Sequence, residues 1–468
     1  MGKPHVVILG GGPAGVGAAY QLCRTERASV TLIERNSAFG GNAGSFVANG
    51  QHLDYGSHRL HPSCDPAVMG DIRRLLGGDL AHRERRGRIR LRGSWLQFPL
   101  KPLDLLLRLD KSFAVGAGFD MVRRMLPSGA TVGDNFAQTL RANLGPTICE
   151  HFYFPYARKI WGREPEDLSG IQARKRVSAG TFRKLMQRVT KPPGAGKFYY
   201  PRRGYGQISE AFGAAAQEHG AEMLCGWSCS KLRRSPGEGR WQVEAVDAEG
   251  TKRSIEADYV WSTIPATLAA GMIEPEAPSE ILEAAKRIEY RAMVLVYLEL
   301  DLDQFGPTDA HYFPEEHIVM TRLSEPKNYF GAPEPRGRTT LCAEIPCTVG
   351  DEVWEMDDES LGRLTVESMR KAGLSLVRPP VSAFSRRLAQ AYPIYLNGYE
   401  EPLGALDRWM GALPGFLSYG RQGLFAHDNT HHALYMAYSA VECLENGVFN
   451  RDKWASYREE FSSHTVED

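Results

Sequence analysis

This 468-residue chain predicts an α/β fold built on a parallel, Rossmann-like sheet with helices, and three observations at its N-terminus carry that reading. The run HVVIL (residues 5–9) is almost fully apolar and rich in Val and Ile, as a strand buried on both faces requires. It enters Gly10, Gly12 and Gly15 in the spacing G-x-G-x-x-G, and Pro13 suits the first turn of a helix. A second β-rich run, SVTLIE (29–34), ends on Glu34.

Strand, glycine turn, helix and acid, in that order, predict a dinucleotide site. Glycines admit a pyrophosphate close to the backbone. The helix beginning at Pro13 and Ala14 turns its N–H groups toward it, and Glu34 stands where an acid meets a ribose hydroxyl. The alternative for the glycines alone is a plain tight turn.

Composition bounds the rest. The chain is 43% hydrophobic and 24% charged, ordinary for a globular protein of two or three domains. Its formal net charge is zero, so no global field favours a nucleic-acid partner. No apolar run reaches the roughly 18 to 20 residues that span a bilayer. The N-terminus enters a strand without a signal-peptide pattern. Cys225 and Cys229, like Cys342 and Cys347, lack CxxC spacing, so the eight cysteines read as reduced thiols of a cytoplasmic protein.

Just downstream, NSAFGGNAGSF (36–46) places a Gly40-Gly41 pair after Glu34. The stretch from Gly10 to Gly41 resembles the extended FAD fingerprint of the flavoprotein superfamily of amine oxidases, protoporphyrinogen oxidases and UDP-galactopyranose mutases. Oxidases there usually carry Arg after the glycine pair; Asn42-Ala43 is similar to the mutases. The resemblance implies a glutathione-reductase-2-like flavoprotein with a discontinuous, Rossmann-like FAD-binding domain (1–80, 196–285 and 386–468). An α+β substrate domain would take 81–195, largely helical, and 286–385, a sheet. It further implies non-covalent FAD, held by the fingerprint with Arg35, Gly41, Asn42 and Ala43.

Other segments extend the resemblance. LDYGSHRLHP (53–62) resembles the mutase histidine loop that covers one flavin face, which puts Gly56, Ser57 and His58 at the cofactor. YARKIWGREPEDLSGIQARKRV (156–177) looks like the segment with a K-x-W-G-type motif, and FYYPRRGYGQISEAF (198–212) like the return to the FAD domain. IEYRAMVLVYLELD (288–301) and TRLSEPKNYF (321–330) resemble mutase segments where arginines meet a diphosphate and the flavin, implicating Tyr290, Arg291, Arg322 and Lys327. YGRQGLFAHDNTHHALYMAYSAVECL (419–444) resembles the closing FAD motif, with Gly420, Arg421, Asn429 and Thr430 as contacts. Leu434, Ala437, Tyr438, Val441 and Leu444 follow helical spacing. Two departures stand out: His431-His432 where the family usually has an acid, and extra sequence around 103–150 and 180–196.

Each candidate has a plainer alternative. His58 and His61 lie in a loop marked by Gly56 and Pro62 with no third ligand nearby, so they read as flavin-facing catalytic residues, or as solvated ones, with no metal expected. Arg291 and Arg322 either bind phosphate through the guanidinium fork or form surface ion pairs. Arg174 and Arg176 are substrate-binding candidates on a helix, where RKR is usually solvated, and Trp161 is either core or substrate platform. RIRLRGSWLQFPL (88–100) reads as a half-exposed strand, which also accounts for the basic run RERRGRIRLR (83–92). RWQVEAVDAEGTKRSIEADYVWSTIP (240–265) reads as two β-runs about AEG and a third, apolar one. KPPGAGK (191–197) reads as a domain junction, and the amphipathic LKPLDLLLRLDKSF (100–113) leaves peripheral membrane contact open.

Three functions remain in play. The first is a redox-neutral isomerase that uses reduced flavin on a nucleotide-linked sugar, as the mutase resemblance implies. The second is a flavin oxidoreductase that removes a hydride from an amine, a porphyrinogen-like ring or an alcohol. The third is a non-catalytic flavin- or nucleotide-binding module.

Overall fold

The computed structural model describes residues 2–98, 108–125, 133–176, 196–234, 239–331 and 335–466. Most of the amphipathic 100–113 segment and of the 191–197 junction lies outside these residues, as does much of the extra sequence. Among the described residues no helix is long and apolar enough to cross a membrane, and all eight cysteines are free thiols.

The fold is mixed α/β. Five parallel strands form the first sheet in the order Phe416–Ser418, Tyr259–Ser262, His5–Leu9, Ser29–Glu34 and Glu222–Cys225. His5–Leu9 lies centrally with Val6 to Leu9 buried, which is why its side chains are apolar on both faces. Helix Pro13–Arg24 covers the sheet and packs between helices Gln207–Glu218 and Thr430–Glu442. Leu434, Ala437, Tyr438 and Val441 form the expected buried stripe of helix Thr430–Glu442, which ends before Leu444. A four-stranded sheet beside it holds Trp241–Val246 and Lys252–Ala257, paired antiparallel about the AEG turn.

A seven-stranded sheet forms the second layer, in the order Ser382–Ile394, Glu289–Leu300, Thr339–Cys347, Arg322–Ser324, Ala310–Tyr312, Gly87–Leu91 and Ser94–Phe98. Glu289–Leu300 is buried from Ala292 onward because it is covered on both faces. Ala292, Val294, Val296 and Leu298 pack into one apolar cluster, while Met293, Leu295 and Tyr297 meet Leu53 in another. The segment read as one half-exposed strand over 88–100 is instead a hairpin. Arg92 and Gly93 both take positive φ (49° and 77°), the conformation of a tight two-residue turn, and Ile89, Leu91 and Leu96 point inward.

The K-x-W-G motif has a structural reading here. Lys159 Nζ donates to the carbonyls of Glu315 (2.7 Å), Ile318 (2.8 Å), Met320 and Phe313, cross-linking helix Phe154–Trp161 to the chain leading into Arg322. Trp161 is core, edge-on to Phe136 at 5.5 Å. Gly162 closes the helix in the left-handed region, and the Arg291 guanidinium occupies the space a side chain there would need.

Candidate functional site

A cavity of about 950 Å³ runs from the glycine turn at the C-terminal edge of the parallel sheet to the face of the seven-stranded sheet. Gly10, Gly12, Pro13, Ala14, Glu34, Arg35, Gly41, Asn42 and Ala43 line one part of it. Helix Pro13–Arg24 starts there without a side-chain cap, so its first-turn amides face the cavity. Glu34 shapes the turn: its carboxylate accepts the Gly11 amide (2.6 Å), the Asn36 amide (2.8 Å) and Asn36 Nδ2 (2.8 Å). Asn42 Nδ2 and Gln422 Nε2 both donate to the Gln390 carbonyl (3.0 and 2.8 Å), and Arg421 Nη2 donates to Ala391 (3.0 Å). These bonds clamp the edge of Ser382–Ile394 across the cavity. Asn429 and Thr430 line it as well, at the capped start of helix Thr430–Glu442.

Three glycines expected at the cofactor lie just behind the lining. Gly15 lets the helix press on the Gly10 carbonyl, Gly420 lets its turn close on Ala14, and Gly56 backs onto Glu344.

Ser57, His58 and His61 reach the cavity from the loop after Asp54. Asp54 anchors that loop. Its buried carboxylate accepts from Ser45 Oγ (2.6 Å), Tyr200 Oη (2.5 Å) and the Tyr205 amide (2.8 Å), and its carbonyl accepts from Tyr297 Oη (2.6 Å). Burial pushes the Asp54 carboxyl up to about 6, against the pull of those hydrogen bonds. A raised carboxyl pKa stabilises the fold fully below the unfolded value, near 4, and that stability is lost as pH rises through 6. Wild type should therefore lose about 2 kcal/mol relative to Asp54→Asn between pH 4.5 and 7, measured by urea unfolding. Parallel pH profiles for the two proteins would refute this.

His58 stacks on Tyr205 at 5.4 Å, and its Nε2–H donates to the Tyr55 carbonyl (3.0 Å). Burial, with the charges of Arg322 and Arg421, drives its imidazole down to about 4, so it is neutral at pH 7. His61 Nδ1 accepts from the Ser63 amide and Oγ.

Beyond His58 the cavity is cationic. Arg59 Nη1 (3.1 Å) and Arg85 Nη2 (2.7 Å) both donate to Tyr312 Oη, and Arg322 stands over the same ring at 5.4 Å. Arg322 also donates to the Ser57 carbonyl (2.9 Å) and faces buried Glu344, whose other oxygen accepts the Ser57 amide (2.8 Å). Arg59 Nε and Nη2 and Arg85 Nε are buried with no hydrogen-bond partner. Sequence reasoning passed over Arg59, although it lies between the two histidines singled out, and absorbed Arg85 into a strand.

Trp161, Arg174, Tyr290, Arg291 and Lys327 lie away from the lining. Arg291 donates to Thr348 Oγ1 (2.7 Å) and packs on Gly162, while Tyr290 sits edge-on to Phe425 at 5.0 Å. Lys327 donates to the carbonyls of Pro335 (2.6 Å), Asp303 (2.8 Å) and Arg338 (3.1 Å). Arg174 is exposed on helix Gly170–Arg176, and Arg176 ends that helix. Arg291 and Lys327, expected at the substrate, are thus turned to protein groups, and Trp161 is buried in the helical core.

Residues 13–433 match the flavin-containing amine oxidoreductase family. The chain belongs to that family. Its fold is similar to reduced UDP-galactopyranose mutase at 20% identity, with a TM-score of 0.80, over 99% of this chain and 100% of that one. It is also similar to the cyclohexylamine oxidase of Brevibacterium oxydans IH-35A (16% identity, TM-score 0.67, 94% of this chain and 98% of that one). A CLA-producing fatty acid isomerase from P. acnes matches at 13% identity and a TM-score of 0.65, over 94% of this chain and 99% of that one. At these identities the likeness is one of fold. The family accordingly makes this chain a flavin-dependent enzyme, and its fold carries both isomerases and oxidases.

Proposed function

We propose that the protein binds FAD non-covalently in this cavity and, with that flavin reduced, isomerises a nucleotide-linked sugar, as the name of its 20%-identical structural neighbour suggests. The charge of the lining carries the reading. Arg35, Arg59, Arg85, Lys197, Arg322, Arg386, Arg387 and Arg421 face the cavity against two carboxylates, Glu34 and Asp428. The pyrophosphate of FAD, at the glycine turn, accounts for about two of the excess positive charges. The cluster around Tyr312 calls for a second anion, and a sugar diphosphate supplies one.

The cradle suits the cofactor: backbone without side chains at Gly10 and Gly12, uncapped helix amides, and Asn42 bound to the opposite strand. Reduced FAD, when bound, supplies an electron-rich nitrogen able to attack an anomeric carbon. Arg59, Arg85 and Arg322 then hold the diphosphate and stabilise the charge it gains on leaving. Neutral His58 lines the same space without adding charge. An amine substrate, as an ammonium ion, is repelled by this lining, so an oxidase of amines fits less well.

The deciding measurement uses purified yellow protein, with and without dithionite, and a panel of UDP-sugars. Isomerised sugar is expected only after reduction, with no acceptor consumed. Bleaching of oxidised flavin by an amine or alcohol, with peroxide formed in air, would establish the oxidase instead. A colourless protein that binds NAD tightly would remove FAD from the proposal.

A further inference from the structure

We infer that Asp428, His432 and His464 form a binding site for a divalent metal ion of the zinc class, where the start of helix Thr430–Glu442 meets the segment that follows helix Arg451–Ser462. No metal was expected from the sequence; these three residues form no recognised motif, with His432 four residues from Asp428 and His464 32 residues further on. The fold brings one ligand atom from each within 4.8 Å of the others.

The Asp428 carboxylate points to a cation. Its side chain is only 1% exposed, and neither oxygen has a hydrogen-bond partner. A carboxylate buried this way is costly unless positive charge or donors compensate it. The nearest imidazole atoms are His432 Nδ1 at 3.6 Å and His464 Nδ1 at 3.7 Å from Oδ1. Both distances are too long for hydrogen bonds. They lie close to the roughly 3.4 Å that separates neighbouring ligand atoms around a tetrahedral ion with bonds of 2.0–2.2 Å. His464 Nδ1 is itself buried without a hydrogen-bond partner.

The third ligand is delivered by a braced segment rather than a loose end. Lys175 Nζ donates to the carbonyls of Ser462 (2.7 Å) and His464 (2.8 Å), and the Val466 amide donates back to Lys175 (3.0 Å). Lys175 thereby directs its N–H donors to carbonyls and makes no hydrogen bond to Asp428, although its charge reaches that carboxylate. Two imidazoles and one carboxylate form a borderline donor set that suits zinc or its neighbours and not calcium or magnesium, which take mainly oxygen. Water completes the coordination, since Asp428 lines the cavity. Binding asks for one local exchange: His432 Nδ1 now accepts the Asn429 amide at 3.2 Å and stacks on His464 at 4.2 Å. The rings must turn about Cβ–Cγ, and the ion takes the lone pair that caps the helix.

The test uses the full-length protein, treated with chelator, desalted, equilibrated with zinc and analysed for metal by mass spectrometry. Wild type is expected to keep about one ion per chain, and His464→Ala or Asp428→Asn to weaken binding by about tenfold or more. His317→Ala, an exposed histidine outside the cluster, should bind as wild type does. Circular dichroism confirms folding, and if Asp428→Asn fails to fold, His464→Ala decides alone. Cobalt in place of zinc should give d–d bands in wild type that are lost in His464→Ala. Wild type retaining less than about a tenth of an equivalent, or His464→Ala binding as wild type does, would overturn the site. The readout does not depend on turnover, so it stands apart from the proposed isomerase activity.

Discussion

Gly15→Ala is expected to prevent the protein from folding into a flavin-binding form, whereas Gly12→Val is expected to fold and remain colourless. The two glycines sit three residues apart in one motif but face opposite ways. An alanine Cβ at Gly15 would overlap the Gly10 carbonyl oxygen, and behind that oxygen lies the central strand of the parallel sheet, with Ile8 also in contact. Neither helix nor strand can retreat, because Pro13–Arg24 is pressed from the other side by helices Gln207–Glu218 and Thr430–Glu442. Overpacking against backbone at such a point costs roughly 3 to 5 kcal/mol, a large share of the stability of an ordinary domain. At Gly12 the added Cβ has nothing nearer than the Gly40 carbonyl at 4.0 Å, and the backbone is extended (φ −71°, ψ 178°), which valine adopts easily. Its side chain instead enters the cavity where the pyrophosphate is proposed to lie. Urea unfolding and flavin absorbance separate the two outcomes. A yellow Gly12→Val protein with a full complement of FAD would mean that the cofactor does not approach this turn.

The same contrast explains which parts of the site were legible in the sequence. Strand, glycine turn, helix and Glu34 are made by contacts within about thirty residues, so their spacing is written in the chain. The cationic end is assembled by long-range pairing. Ala310–Tyr312 pairs in parallel with Gly87–Leu91, and only that register brings Arg85 to the Tyr312 hydroxyl. In the sequence Arg85 is one of several arginines in a strongly basic run, with nothing to separate it from the exposed Arg86 and Arg88. Arg291 and Arg322 look alike as arginines on strands, yet they part company in space. Glu289–Leu300 carries a bulge against its neighbour between Arg291 and Met293, and Arg291 turns onto Gly162. Arg322 opens a short strand beside Thr339–Cys347 and faces Ser57 and Glu344. Lys327 begins a one-turn helix and caps carbonyls. Residue type marked these positions as candidates, but strand register and a bulge decided which one reaches the cavity.

Arg59→Ala and Arg322→Ala are both expected to lower kcat/KM on a diphosphate-linked sugar by about 30-fold to several thousandfold, equivalent to roughly 2 to 5 kcal/mol. They should do so with different structural costs. Arg59 is bound through Nη1 to Tyr312 and flanked by the rings of Phe198 (5.3 Å) and Tyr329 (4.8 Å), while its Nε and Nη2 have no hydrogen-bond partner. Removing it relieves a buried, partly unsatisfied cation, so stability should change little while the anion loses a donor pair. Arg322 is different because buried Glu344 faces it at 3.4 Å, and truncation leaves that carboxylate without its counter-charge. Arg322→Ala should therefore unfold at lower urea as well, and the double variant Arg322→Ala, Glu344→Gln should recover stability without recovering activity. Salt supplies the second readout: substrate affinity of wild type should fall with ionic strength, and Arg59→Ala should flatten that dependence by removing one charge proposed to meet the diphosphate. Turnover by Arg59→Ala within twofold of wild type, at low salt and with reduced flavin, would place the substrate's anion elsewhere in the cavity.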